Sequence, residues 1–218
     1  MSALSCAGQA QACLLRVARL DADGAPLEGV GNLYVTEKMI SLGWSPNIDG
    51  GDELDQSNGC GDEIVFFQAP DRLRNLELDL TIVAPEPELL EMLAGGTVHE
   101  LTGDTRGYGM KGPGTLGGLN DVSIELWERI IVDGSIAGYA RYVFPRTRNW
   151  ALQGNTHEND VLDVELEGIA VQAGTWGQGP GFDWDDLSES GPTIYDWAIE
   201  ENELPVAECG AQELTAPA

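Results

Sequence analysis

Positive charge is what this chain most conspicuously lacks. Eleven Lys and Arg stand against 37 Asp and Glu, a formal net charge of -26, and neither base occurs after Arg148. Phosphate backbones are gripped by Lys and Arg, so this balance argues against sequence-independent DNA binding. Histidine and cysteine are few as well. The two histidines, His99 and His157, and the four cysteines, Cys6, Cys13, Cys60 and Cys209, include no close pair at metal-ligand spacing. No zinc site and no cofactor is expected, and the thiols are read as free, with a Cys6–Cys13 disulfide as the alternative. Apolar runs are short. Nothing approaches a membrane span, and the opening MSALSCAGQAQAC has neither a basic stretch nor an apolar run long enough for a signal peptide. The expectation is a protein made in the cytoplasm, with no membrane partner.

What is present is a β pattern. The 218 residues are enough to bury a core, and 42% of them are hydrophobic. Leu76, Leu78, Leu80 and Ile82 alternate with Glu77, Asp79 and Thr81, the period of a strand with one buried and one wet face. The chain then turns at Ala84-Pro85 into a short helix over about 86–94. Prolines preset its first turn, Glu86 and Glu88 suit the positive end of its dipole, and Gly95-Gly96 close it. Further strands are read at 14–20, 30–35, 38–44, from Val122 to Val132, from Tyr139 to Phe144 and around Leu162, Val164 and Leu166. About eight short strands and one helix predict an antiparallel β-sandwich or barrel.

Several local patterns have a plainer and a sharper reading. Asp21-Ala22-Asp23-Gly24 opens like a calcium loop, but Asn32 stands where that loop needs glutamate, so a hairpin turn is expected. The glycines between Thr97 and Asn120 lack the strand–helix frame and lysine of a phosphate cradle, and a flexible arm ordered against a neighbour is the better reading. Ser45 to Gly61 reads as a long polar loop whose Asp49, Asp52, Glu53 and Asp55 make a solvated face rather than a cation site. Arg141, Arg146 and Arg148 form a basic cluster. Beyond Gly174 the rings of Trp176, Phe182, Trp184, Tyr195 and Trp197 alternate with acids, a composition suited to docking along that cluster on the same or a neighbouring subunit. Three segments are therefore expected: an arm over 1–13, a β-domain over 14–174 and an acidic, aromatic extension over 175–218.

The acidic strand, the proline-and-glutamate helix start and the Gly-Gly stop resemble a segment of phage major tail tube proteins, particularly of long-tailed phages with non-contractile tails. Asn58-Gly59-Cys60-Gly61, Val143-Phe144-Pro145 and Trp176-Gly177-Gln178-Gly179-Pro180 resemble the same family in the same order, over roughly residues 30 to 185. The resemblance implies two packed sheets flanked by a helix, and a virion protein without enzymatic activity. It implies subunits that form hexameric rings stacked into a hollow tube for the genome, with tape-measure, tail-terminator and distal tail proteins as partners.

A conduit must not hold DNA, and a hydrated acidic wall repels the duplex over about 8 Å at physiological salt. Lumen-facing candidates are Glu77, Asp79, Glu125, Asp163, Glu165 and Glu167. Contacts between subunits are expected from Asp49, Asp52, Glu53 and Asp55, from Arg106 and Lys111, from Arg141, Arg146 and Arg148, and from Trp176 and Trp184. Two other classes compete. A carbohydrate-binding sandwich would stack sugars on Trp176, Trp184 and Trp197, and a polysaccharide hydrolase would use a carboxylate pair.

Overall fold

A computed structural model describes residues 9–57, 60, 63–100, 106–110, 121–153, 162–174, 179, 193–200, 204 and 209–214. The strands are β1 (Gln9–Arg19), β2 (Gly29–Thr36), β3 (Met39–Asp49), β4 (Glu53–Ser57), β5 (Glu63–Gln68), β6 (Arg72–Val83), β7 (Thr97–Glu100), β8 (Arg106–Gly109), β9 (Val122–Val132), β10 (Ser135–Leu152), β11 (Asp163–Ala170), β12 (Asp196–Glu200) and β13 (Gly210–Leu214). The helix α1 (Pro87–Ala94) follows β6. Nine strands share one hydrogen-bonded sheet in the order β13-β2-β1-β9-β10-β11-β6-β3, with β12 also beside β10. Every pair is antiparallel. The expected mainly β, sandwich-like fold is what forms.

The strand β10 makes two layers out of this one sheet. Its first half pairs with β9 on one side and β12 on the other, and its end pairs with β11. Between those regions the ladder is interrupted twice, around Pro145, which has no N–H to give, and around Asn149, whose φ is 58°. Bulges bend and twist a strand, and here the bend carries the chain from one layer into the other. The inward side chains then meet in one core. Leu15, Val17, Ile124, Leu126 and Phe144 come from one layer, and Leu78, Leu80, Ile82, Val164 and Leu166 from the other.

The helix closes part of that core with Leu89, Met92 and Leu93. Glu86 is its N-cap, and Gly95 (φ 72°) and Gly96 (φ 104°) end it. A Cβ on Gly96 would lie 2.6 Å from the Tyr108 ring. Burial alone would raise the Glu86 carboxyl, but hydrogen bonds from Lys38 and Tyr34 outweigh it and hold the group below its ordinary range. At the β1–β2 turn, Asp21 Oδ1 accepts the N–H groups of Asp23 and Ala25, each at 2.9 Å. That is the hairpin turn expected there, closed by its own aspartate.

Two regions depart from the sequence expectation. The supposed polar loop from Ser45 to Gly61 is largely strand: β3 runs on to Asp49, and β4 pairs with β5 beyond it. Exposure on both sides had removed the alternation by which a strand is recognised. The extension after 175 contributes β12 and β13 to the sheet itself, and β1 begins at Gln9, inside the segment expected to be an arm. Within the glycine-rich region, β7 and β8 form a hairpin against α1, where Tyr108 donates a 2.8 Å hydrogen bond to the Gly95 carbonyl.

Candidate functional site

The layer β11-β6-β3 has one face in the core and one in solvent. On the solvent face Asp163, Glu165 and Glu167 alternate along β11, and Glu77 and Asp79 along β6. Glu165 lies opposite Thr81, Glu167 opposite Asp79, and Ile169 opposite Glu77. Across the other side of β6, Ser41, Gly43, Ser45 and Asn47 face Thr81, Asp79, Glu77 and Asn75. The result is a carboxylate surface bordered by small or uncharged side chains. Like charges placed opposite one another cost free energy unless water separates them, so this face stays hydrated in the free subunit. Glu77, Asp79 and Glu167 also line a shallow groove of about 360 Å³ with Asn149 and Ala151. Among the described residues no group of three or more His, Cys, Asp or Glu is placed to hold a metal ion.

Glu125, expected on the same kind of wet surface, is not at a surface at all. Its side chain is 0% exposed, and Arg16 clasps it through Nε at 2.5 Å and Nη2 at 2.9 Å. Arg141, expected in an exposed basic cluster, is 2% exposed and approaches the same carboxylate at 3.4 Å. Both guanidiniums lie over the Trp127 ring, 4.9 and 5.3 Å from its centroid. The outer face of this layer is covered, because Leu204 packs with Leu14, Val35 and Trp127, and Leu214 with Ala18 and Leu33. Alternation predicted the side of β9 that Glu125 occupies. It could not predict that a distant part of the chain roofs that side. Arg16, placed in mid-strand between the apolar Leu15 and Val17, was the available sign of a buried counter-charge.

The acidic segment from Asp49 to Asp55 is carried on a ribbon that extends β3 and β6. Pairing keeps one register from Ile48 opposite Leu73, through Asp49 opposite Arg72, to Leu54 opposite Phe67 and Gln56 opposite Val65. Strand alternation therefore puts Ile48, Leu73, Leu54, Phe67 and Val65 on one side of the ribbon. Asp49, Glu53 and Asp55 take the other side, while Asp52 accepts the Ala69 N–H through its carbonyl at 2.9 Å. The apolar side is open: Ile48 is 54% exposed, Leu54 56% and Phe67 59%. Gly51 sits at the neck, where a Cβ would fall 1.7 Å from the Ala69 carbonyl oxygen. Val65 and Phe67 were the sequence sign of this surface, while Phe66 between them lies on the other side, opposite Asp55.

The remaining candidates separate. Arg106 pairs with Glu88 of α1, and Arg146 donates from Nε to Asp121 at 2.6 Å, so both are engaged within the subunit. Arg148 is exposed at the border of the acidic face, opposite Ile169. The three arginines thus form no single patch. Lys111, Trp176 and Trp184 lie outside the described residues, and so do the motifs around Gly59 and Trp176. Trp197 is exposed on β12, whereas Trp44, Tyr142, Phe144 and Tyr195 form an aromatic cluster with centroids 5.2 to 6.3 Å apart. Burial, with Glu128 nearby, pushes the Tyr142 hydroxyl up to about 12.

No family model matches the chain, and no curated protein matches it. Among solved structures, a chain of the sheath–tube complex of an extracellular contractile injection system in its extended state covers 72% of this chain and 84% of its own, at 13% identity and a TM-score of 0.30. So low a score carries no inference about what this chain does.

Proposed function

We propose that this protein is a structural subunit of a phage tail, which self-assembles into hexameric rings stacked as the hollow tube through which DNA passes. One observation carries the reading: the carboxylate face of β6 and β11 is joined, through β6 and its partner β3, to a ribbon whose apolar side has no cover among the described residues. A two-stranded ribbon is marginal on its own in water, and exposed apolar surface of this kind marks a contact. The ribbon supplies adhesion between copies. The carboxylate face, holding Glu77, Asp79, Asp163, Glu165 and Glu167, supplies a wall that DNA does not wet. On this reading the protein is not an enzyme, its partners are copies of itself and other tail proteins, and its place is the virion, after assembly in the host cytoplasm. The non-contractile type of tail belongs to the proposal through the sequence resemblance alone.

Self-repulsion at -26 per subunit opposes stacking, and salt screens it. Negative-stain microscopy of the purified protein, concentrated at rising salt, tests the reading. Hollow tubes or six-fold rings that increase with salt are expected. Uniform monomers at every salt concentration would contradict it.

A further inference from the structure

The outer face of β2-β1-β9-β10 is built as a groove for a particular kind of segment. Its side chains form rows across the strands: Leu33, Ala18 and Ser123 in one; Val35, Arg16, Glu125 and Val143 in the next; then Leu14, Trp127 and Arg141. Described residues of the C-terminal part of the chain meet this face at both edges and in the middle. β12 pairs along β10, Leu204 sits on Trp127, Leu14 and Val35, and β13 pairs along the far edge of β2, with Leu214 in the pocket of Ala18 and Leu33. Two arginines to one glutamate lie beneath, and every charged residue after Arg148 except His157 is acidic. Charge and shape agree: the face accepts an acidic strand carrying spaced leucines.

Nothing in those contacts requires that strand and groove belong to one molecule. β13 is paired on one side only, through a ladder of five residues with one register shift, and Leu214 is its one buried side chain, since Ala211 and Glu213 are exposed. An intramolecular segment on a short tether competes at an effective concentration of the order of mM. Dilute subunits therefore keep their own strand, while a packed array brings a neighbour's strand to comparable concentration. We propose that this groove is a second self-association site, occupied by the chain's own β13 in the free subunit and by the β13 of a neighbouring copy once subunits associate. Exchange of an identical element makes no new contact type, which is why it is cheap. The inference requires self-association but not the tube.

Val30 and Glu213 are direct cross-strand partners, and both side chains are exposed. The test is the full chain with Val30→Cys and Glu213→Cys, in a background where Cys6, Cys13, Cys60 and Cys209 are replaced by alanine. Bridging by oxidation or a short bis-maleimide is done either in dilute monomer or after concentration at high salt, and read on a denaturing gel. Bridging in dilute protein is expected to stay within one chain and to reduce later assembly at least about tenfold; for the oxidised form, reduction restores it. Bridging after concentration is expected to give dimers and higher ladders. Only intrachain bridges at every concentration, or locked monomers that assemble as well as unlocked ones, would overturn the exchange. Ladders without tubes would uphold the exchange and sink the tube.

Discussion

Glu125 and the row Asp163, Glu165 and Glu167 look alike in sequence, each an acid alternating with apolar residues on a strand, yet they occupy opposite environments. Glu125 is enclosed, held by Arg16 and neighboured by Arg141, under a roof contributed by residues more than 70 positions later. Asp163, Glu165 and Glu167 are exposed, with no roof among the described residues. An acid on the open side of a strand is thus defined by what covers that side. One set organises the fold, and the other is free to define a surface.

The largest effect is expected from Glu125→Ala, which strands two buried guanidiniums. Chemical denaturation is expected to show a loss of about 3–5 kcal/mol. A loss below about 1 kcal/mol would mean that the triad is not closed off from water. Next comes Gly168→Val, on the inward side of β11, whose outward side carries the acidic row. A Cβ there would lie 2.5 Å from the Trp150 indole, so overpacking of about 1–3 kcal/mol is expected from the same measurement. Glu165→Gln, three residues earlier on β11 but solvated, is the control for that change.

Alkaline pH separates interior from surface in another way. Tyr142 has its hydroxyl raised to about 12, against about 10 in an unfolded chain. The folded state holds its proton longer, so this contribution is intact below about pH 10 and is lost as pH rises towards 12. Tyr142→Phe is expected to flatten the stability profile in that window, and an unchanged profile would count against the burial of this ring. On the ribbon, Leu54→Ser with Phe67→Ser is expected to change stability by no more than about 0.5 kcal/mol while abolishing sedimentable assemblies. Retained assembly would show that the apolar side is not a contact. Smallest on folding is Glu165→Gln with Glu167→Gln, within about 0.5 kcal/mol, but with assembly shifted to lower salt.

Much of this was legible in the residues. The period-two runs placed β6, β9 and β11, and the proline start and glycine stop placed α1 within a residue of its ends. Strong alternation and local caps are short-range signals, and they survive without tertiary knowledge. The ribbon was hidden because both of its sides are exposed, so its apolar and acidic residues were not sorted by burial into a strand pattern. Glu125 and Arg141 were misplaced because β12, Leu204 and β13 reach back across the sheet, and long-range covering leaves no local trace. Of the two arginines within LLRVARL, Arg19 lies at the strand end beside Glu91, and Arg16, in mid-strand between Leu15 and Val17, marked the buried triad.

The most direct measurement is a helical reconstruction of the assembled protein at a resolution that places strands. Glu77, Asp79, Asp163, Glu165 and Glu167 are predicted to line a central channel, with the ribbon side of Leu54 and Phe67 covered by an adjacent copy. Tubes that carry this carboxylate face on their outer wall, or that leave the ribbon in solvent, would contradict the assignment of both surfaces.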